Sequence, residues 1–168
     1  MVLIIDAAQT SAHRPDAVEY SLCYVLSNGS VLLKHATRGI SKGKWNGLGG
    51  KIEKWETPEQ NAAREAREES GLSVSWLFYH GVLRAYMNGT EKLTILIHLF
   101  STSHFDGRLS HSEEGVLKWF GADALPLGEM WDDDRHWIPL MLAGKRFDGD
   151  FYYNSDNSRV VKYAILHR

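Results

Sequence analysis

The chain has 168 residues, 43% of them hydrophobic and 24% charged, a composition that fits one globular domain with a buried core. Its net charge of −2 gives no sign of a broad polyanion-binding surface, so no nucleic-acid polymer is expected as a partner. The lone cysteine, Cys23, excludes an intramolecular disulfide, and no apolar run approaches the ~20 residues of a membrane span.

The opening "MVLIIDAAQT" has a short apolar run, no basic start and an early Asp6, so it does not read as a secretory leader. A cytoplasmic monomer with no membrane partner is the expectation. Residues 1–18 carry no functional reading and are taken as an extension of a single domain spanning 1–168. "EYSLCYVLSNGSVLLKHA" (19–36) is two apolar, β-rich runs around Asn28-Gly29, which predicts a hairpin with Cys23 buried in its first strand. The glycine- and lysine-rich 37–50 then predicts a loop leading into a short strand.

At 57–71 the pattern becomes helical. Thr57 is placed as N-cap, Pro58 at the first helical position, Gln60 as the closing member of a capping box, and Gly71 as the stop. The predicted helix is therefore 58–70. Residues 72–87 and 92–102 read as strands joined at Asn88-Gly89, 103–115 as a polar loop and 116–120 as a short strand. Residues 132–145 suggest a second helix, interrupted by Pro139. A hairpin around "NSDNS" closes the chain. This order implies an α/β fold in which a mixed sheet carries helices packed against it.

On the predicted helix Glu65, Glu68 and Glu69 fall within an arc of roughly 100°, with Ala62, Ala63 and Ala66 beside them. Three carboxylates on one face repel, and a hard divalent cation would remove that penalty. The surrounding stretch, "GKIEKWETPEQNAAREAREESGL" (50–72), resembles the Nudix box. Gly50, Glu56, Arg64, Glu65, Glu68, Glu69, Gly71 and Leu72 match in register, and Ala66 stands where an Ile, Leu or Val is usual. The resemblance implies the Nudix fold, a mixed β-sheet sandwiched between α-helices. It also implies hydrolysis of a diphosphate linkage with Mg²⁺, for which Mn²⁺ can substitute. Glu68 and Glu69 would be metal ligands helped by the Gly49 carbonyl, and Glu65 a ligand or the base. Arg64 would orient a carboxylate together with Glu56.

"GKWNGLGG" (43–50) and residues 119–153 are similar to the oxidised-purine nucleoside triphosphatases of animals, a branch of that family acting on 8-oxo-dGTP. That likeness implies a purine nucleoside triphosphate as the bound partner. Asn46 would hydrogen-bond the base, Trp131 stack on it, and Asp133 and Asp134 read its edge; Ser21 would line the pocket. Glu114 would be a further metal ligand or base. Ala36, Ile40 and Ala85 stand where those enzymes carry a lysine and two phenylalanines, which implies a less aromatic pocket. The "DDD" run also suits a helix N-terminus, where Asp is favoured by capping and dipole. His80, His98, His104 and His111 show no metal-ligand spacing. Another nucleoside-diphosphate derivative, such as ADP-ribose or a dinucleoside polyphosphate, is the competing substrate. A module that binds a nucleotide without cleaving it is the non-enzymatic alternative.

Overall fold

Side chains on the first two strands alternate between two cores, and each core is capped by one helix. A computed structural model describes residues 16–113 and 115–168; Glu114 and most of the N-terminal extension lie outside the described residues. Strands β1 (Val18–Ser27) and β2 (Ser30–Ala36) form the expected hairpin, turning through Asn28 and Gly29 at φ 48° and 72°. Positive φ at both central residues is what a tight hairpin of this twist requires. Tyr24, Val31 and Leu33 enter one core, and Cys23, Val25 and Leu32 the other.

Helix α1 (Pro58–Ser70) lies on the second core, where Ala62 and Ala66 are fully buried. Its start follows the sequence. The Gln60 amide donates to Thr57 Oγ1 at 3.2 Å, and the Thr57 amide donates to Gln60 Oε1 at 2.9 Å. Gly71, at φ 77°, donates its N–H to the Arg67 carbonyl at 2.8 Å and ends the helix. Helix α2 (Asp134–Leu142) supplies Trp137, Ile138 and Met141 to the first core. It is shorter than the predicted 132–145. Pro139 removes one intrahelical hydrogen bond without stopping it.

Between and after the helices run β3 (Trp45–Asn46), β4 (Leu48–Lys51), β5 (Ser73–Ser75), β6 (Phe78–Tyr86) and β7 (Ile95–Thr102). They are followed by β8 (His104–Asp106), β9 (Gly115–Gly121), β10 (Phe147–Tyr153) and β11 (Val160–His167). The main sheet has the order β11-β10-β6-β7-β1-β2-β3, with β4 also on β1 and β9 on β2. It is mixed: β1 runs parallel to β7, and β6 parallel to β10.

Two segments differ from the sequence reading. Residues 72–87 are two strands, because Trp76 turns the chain through φ 51°. The polar stretch 103–115 contains β8, which pairs with β5 in a separate two-stranded sheet. Three-residue strands are too short to carry a readable period.

Candidate active site

A cleft of about 370 Å³ joins β4 and α1 at one end to the segment before α2 at the other. At the first end, Gly49 and Gly50 let the β4 backbone approach the glutamate face of α1. A Cβ on Gly50 would lie 2.5 Å from Glu65 Oε1, and one on Gly49 would lie 2.0 Å from the Ser21 carbonyl. At Gly49 only glycine fits, because the obstacle is backbone; at Gly50 a Cβ would have to displace the Glu65 carboxylate. Glu65, Glu68 and Glu69 all line the cleft.

Cations hold these carboxylates. Arg64 forks onto Glu56, with Nε–Oε1 at 2.5 Å and Nη2–Oε2 at 3.0 Å, and its Nη1 donates to Glu65 Oε1 and Glu68 Oε2, each at 2.9 Å. Hydrogen bonds from Arg64 and then Asn61 hold the Glu56 carboxyl down at about 2, so it stays ionised. Glu68 remains 59% exposed, open to an incoming ligand, whereas Glu69 is 1% exposed. Lys34 of β2 ion-pairs with Glu69 Oε1, and the Gly49 amide donates to its Oε2 at 3.0 Å. Burial, opposed by Lys34, pushes the Glu69 carboxyl up to about 7.

Among the described residues, no three acidic, histidine or cysteine side chains converge closely enough to coordinate an ion. The donor set nonetheless suits a hard cation: three carboxylates on one helix face, opposite backbone brought close by two glycines. Lys34 has no counterpart in the sequence reading. It falls in an alternating strand where a lysine reads as solvent-facing, and only the fold shows it buried beside Glu69.

At the other end the side chains are knitted together. Asn46 Oδ1 accepts from Tyr24 Oη at 3.0 Å and from the Gly47 amide at 2.8 Å. Its Nδ2 reaches Ser41 Oγ at 3.3 Å, and Trp131 Nε1 donates to the same oxygen at 3.0 Å. Asp133 is buried and takes hydrogen bonds from Tyr153 Oη and, at 3.0 Å, from Trp137 Nε1. Asp134 is 3% exposed, and its Oδ2 accepts from the Trp131 amide at 3.2 Å. Burial raises both carboxyls, and the neighbouring Asp133 charge raises Asp134 further. Such a pair binds a proton more readily than an isolated carboxyl does, and when one member is protonated the pair presents both a donor and an acceptor.

Asp133 occupies the N-cap position of α2 but has helical dihedrals and makes no capping bond. The side-chain alternation of β1 sends Tyr20 and Leu22 into the cleft and Ser21 away from it. Ser21 Oγ instead donates to Asn61 Oδ1 at 2.6 Å beneath α1. Ala36, Ile40 and Ala85 all line the cleft. His80 is tied to the Lys145 carbonyl and Ser101 Oγ, and His98 to Tyr79 and Glu19.

Known proteins resemble this chain in sequence and in fold. The NUDIX domain model matches residues 19–141. The chain is 40% identical over 146 residues to the mouse oxidized purine nucleoside triphosphate hydrolase, covering 87% of this chain and 92% of that protein. It is 42% identical over 133 residues to the zebrafish protein of the same name, covering 79% and 85%. Among solved structures, a MutT protein from Bacillus halodurans superposes with a TM-score of 0.78 at 24% identity, over 88% of this chain and 97% of that one. This last likeness concerns the fold alone.

Proposed function

This chain belongs to the Nudix family, and from that premise we propose that it hydrolyses purine nucleoside triphosphates, oxidised ones such as 8-oxo-dGTP foremost, to the monophosphate and pyrophosphate. The observation that carries the reading is one cleft with two chemically distinct ends, a carboxylate face on α1 and an amide–indole–acid cluster beside α2. The names of the mouse and zebrafish relatives support it. A cytoplasmic nucleotide pool is where such an activity would act.

Glu65, Glu68 and Glu69, with the Gly49 carbonyl, would hold Mg²⁺ or Mn²⁺. The cation would neutralise phosphate oxygens and lower the pKa of the attacking water. Arg64, anchored by the ionised Glu56, fixes Glu65 and Glu68 in place. Glu65 is the candidate base, close to the β4 backbone. Glu114 remains a second candidate for that role. Trp131 offers a ring for stacking, worth ~1–3 kcal/mol per base in nucleic-acid binders. The raised Asp133–Asp134 pair can meet the N–H donors and the carbonyl of an oxidised guanine edge. Ala36, Ile40 and Ala85 leave the walls less aromatic.

The test is turnover with Mg²⁺ in ¹⁸O-labelled water, offering 8-oxo-dGTP, dGTP, dATP, ADP-ribose and diadenosine polyphosphates. Monophosphate and pyrophosphate from the oxidised purine triphosphate, at the highest kcat/KM of the set, is the expected result. Label found only in orthophosphate, or preferred cleavage of ADP-ribose, would refute it.

A further inference from the structure

Ser41 stands in the loop between β2 and β3, outside the Nudix box. Four backbone hydrogen bonds pin this loop, one of them from the Lys42 amide to the Gly39 carbonyl at 3.2 Å. The Ala36 amide donates to the Lys44 carbonyl at 3.0 Å, Gly43 to Ala36 at 2.8 Å, and Lys44 to Ser41 at 2.9 Å. The Ser41 side chain is half-buried and lines the cleft.

Its hydrogen bonding follows from its neighbours. The indole Nε1–H of Trp131 can only donate, so at 3.0 Å Ser41 Oγ is its acceptor. The Asn46 amide cannot be flipped, because its oxygen already takes donors from Tyr24 and Gly47. Its Nδ2 therefore faces Ser41 and donates as well. Two donors occupy the Ser41 oxygen, and its own O–H has no acceptor among the described residues. The Trp131 ring is held from other sides too. Lys44, which lines a neighbouring groove but not the cleft, lies over it at 5.0 Å, and Tyr153 meets it edge-on at 5.8 Å.

We propose that Ser41 is a specificity-determining residue: it fixes the Asn46 amide and the Trp131 ring, and gives its hydroxyl proton to an acceptor on the bound purine nucleoside. The proposal rests on the reading of this cleft as a purine nucleotide site. It assigns Ser41 a role in recognition and none in bond cleavage.

The experiment compares wild type, Ser41→Ala and Ser41→Thr in two assays. One is binding of 8-oxo-dGMP and dGMP in chelator, without turnover. The other is kcat and KM for 8-oxo-dGTP, dGTP and dATP with Mg²⁺. Ser41→Ala is expected to weaken monophosphate binding and raise KM on the order of 10-fold, the scale of one or two lost hydrogen bonds. It should leave kcat within about threefold and compress the ratio of kcat/KM between oxidised and plain purines. Ser41→Thr, which keeps the hydroxyl, should restore binding and ratios. Unchanged binding and ratios in Ser41→Ala, or a fall in kcat alone, would overturn the assignment while wild-type turnover still upheld the functional reading. Conversely, wild type that binds purine monophosphates through Ser41 but cleaves no triphosphate would sustain the assignment and fail that reading.

Discussion

Glu69, buried beside Lys34, makes the carboxylate end sensitive to pH. Burial raises the Glu69 carboxyl from 4.5 to about 7, so the folded chain binds that proton more tightly than the unfolded one. Its contribution to stability is fully present below about pH 4.5 and lost as pH rises to about 7, about 3 kcal/mol at ~1.36 kcal/mol per pH unit. Urea unfolding in chelator across that window should show wild-type stability falling. Glu69→Gln should fall less steeply; it should not be flat, because Asp133 and Asp134 are raised in the same direction. Equal slopes would contradict the burial argument. At the other end the two aspartates are not equivalent. Asp133 is committed to Tyr153 and Trp137, so Asp133→Asn should cost stability, ~1–3 kcal/mol for a disturbed buried acceptor. Asp134→Asn should instead change kcat/KM ratios among 8-oxo-dGTP, dGTP and dATP by roughly 10- to 100-fold. Constant ratios would leave Asp134 as a structural acid only. Sequence brought Asn46, Trp131 and both aspartates to notice through resemblance. It could not rank the aspartates, because their difference lies in partners from β10 and from α2 itself. Ser41 and Lys34 escaped because a loop serine and a strand lysine look like solvent-facing residues until their neighbours are known.

Helix α1 and strand β4 form the element pair on which the carboxylate end depends. The helix was legible to the residue, since its cap, its proline and its closing glycine are local chemistry. The close approach of β4 was legible only as two glycines in a motif. Its cause is spatial, and the two positions differ. Gly49→Ala would drive a Cβ into the Ser21 backbone and should destabilise the β1–β4 pairing by ~1–3 kcal/mol or more. Gly50→Ala would meet only the movable end of Glu65. It should unfold almost like wild type yet lose activity on the order of 10²-fold, through displacement of that carboxylate. Chemical denaturation beside steady-state kinetics separates the two, and equal stability losses would refute the distinction. The β5–β8 ribbon shows the opposite limit of legibility. Nothing in "LSVSWLF" marks Trp76 as the residue that takes a left-handed conformation, usually a glycine or asparagine position.

Across the whole molecule, the mixed sheet with a helix on each face was implied by the order of elements and by the family resemblance. The strand order was not, because register between distant strands is decided by packing rather than by local pattern. A ligand that binds only the folded arrangement should stabilise all of it. Mg²⁺ at about 100 times its dissociation constant should add ~2.7 kcal/mol to unfolding, read as a rise in Tm that Glu68→Gln and Glu69→Gln abolish. A rise persisting in both variants would place the ion elsewhere.

The parallel pairing of β1 with β7 also dictates an order of events during translation. Val18 pairs with Ile95 and Val25 with Thr102, so the first strand waits for a partner made long after α1 has emerged. Until then the alanine stripe of α1 lacks Phe100, which helps to close its core, and closing so long a loop is entropically slow. Ribosome-bound chains halted before Ile95 should therefore keep this core open on its β7 side, though β1 and β4 already cover part of it, and recruit chaperones. Chains carried far enough past Thr102 for β7 to leave the exit tunnel should begin to shed them.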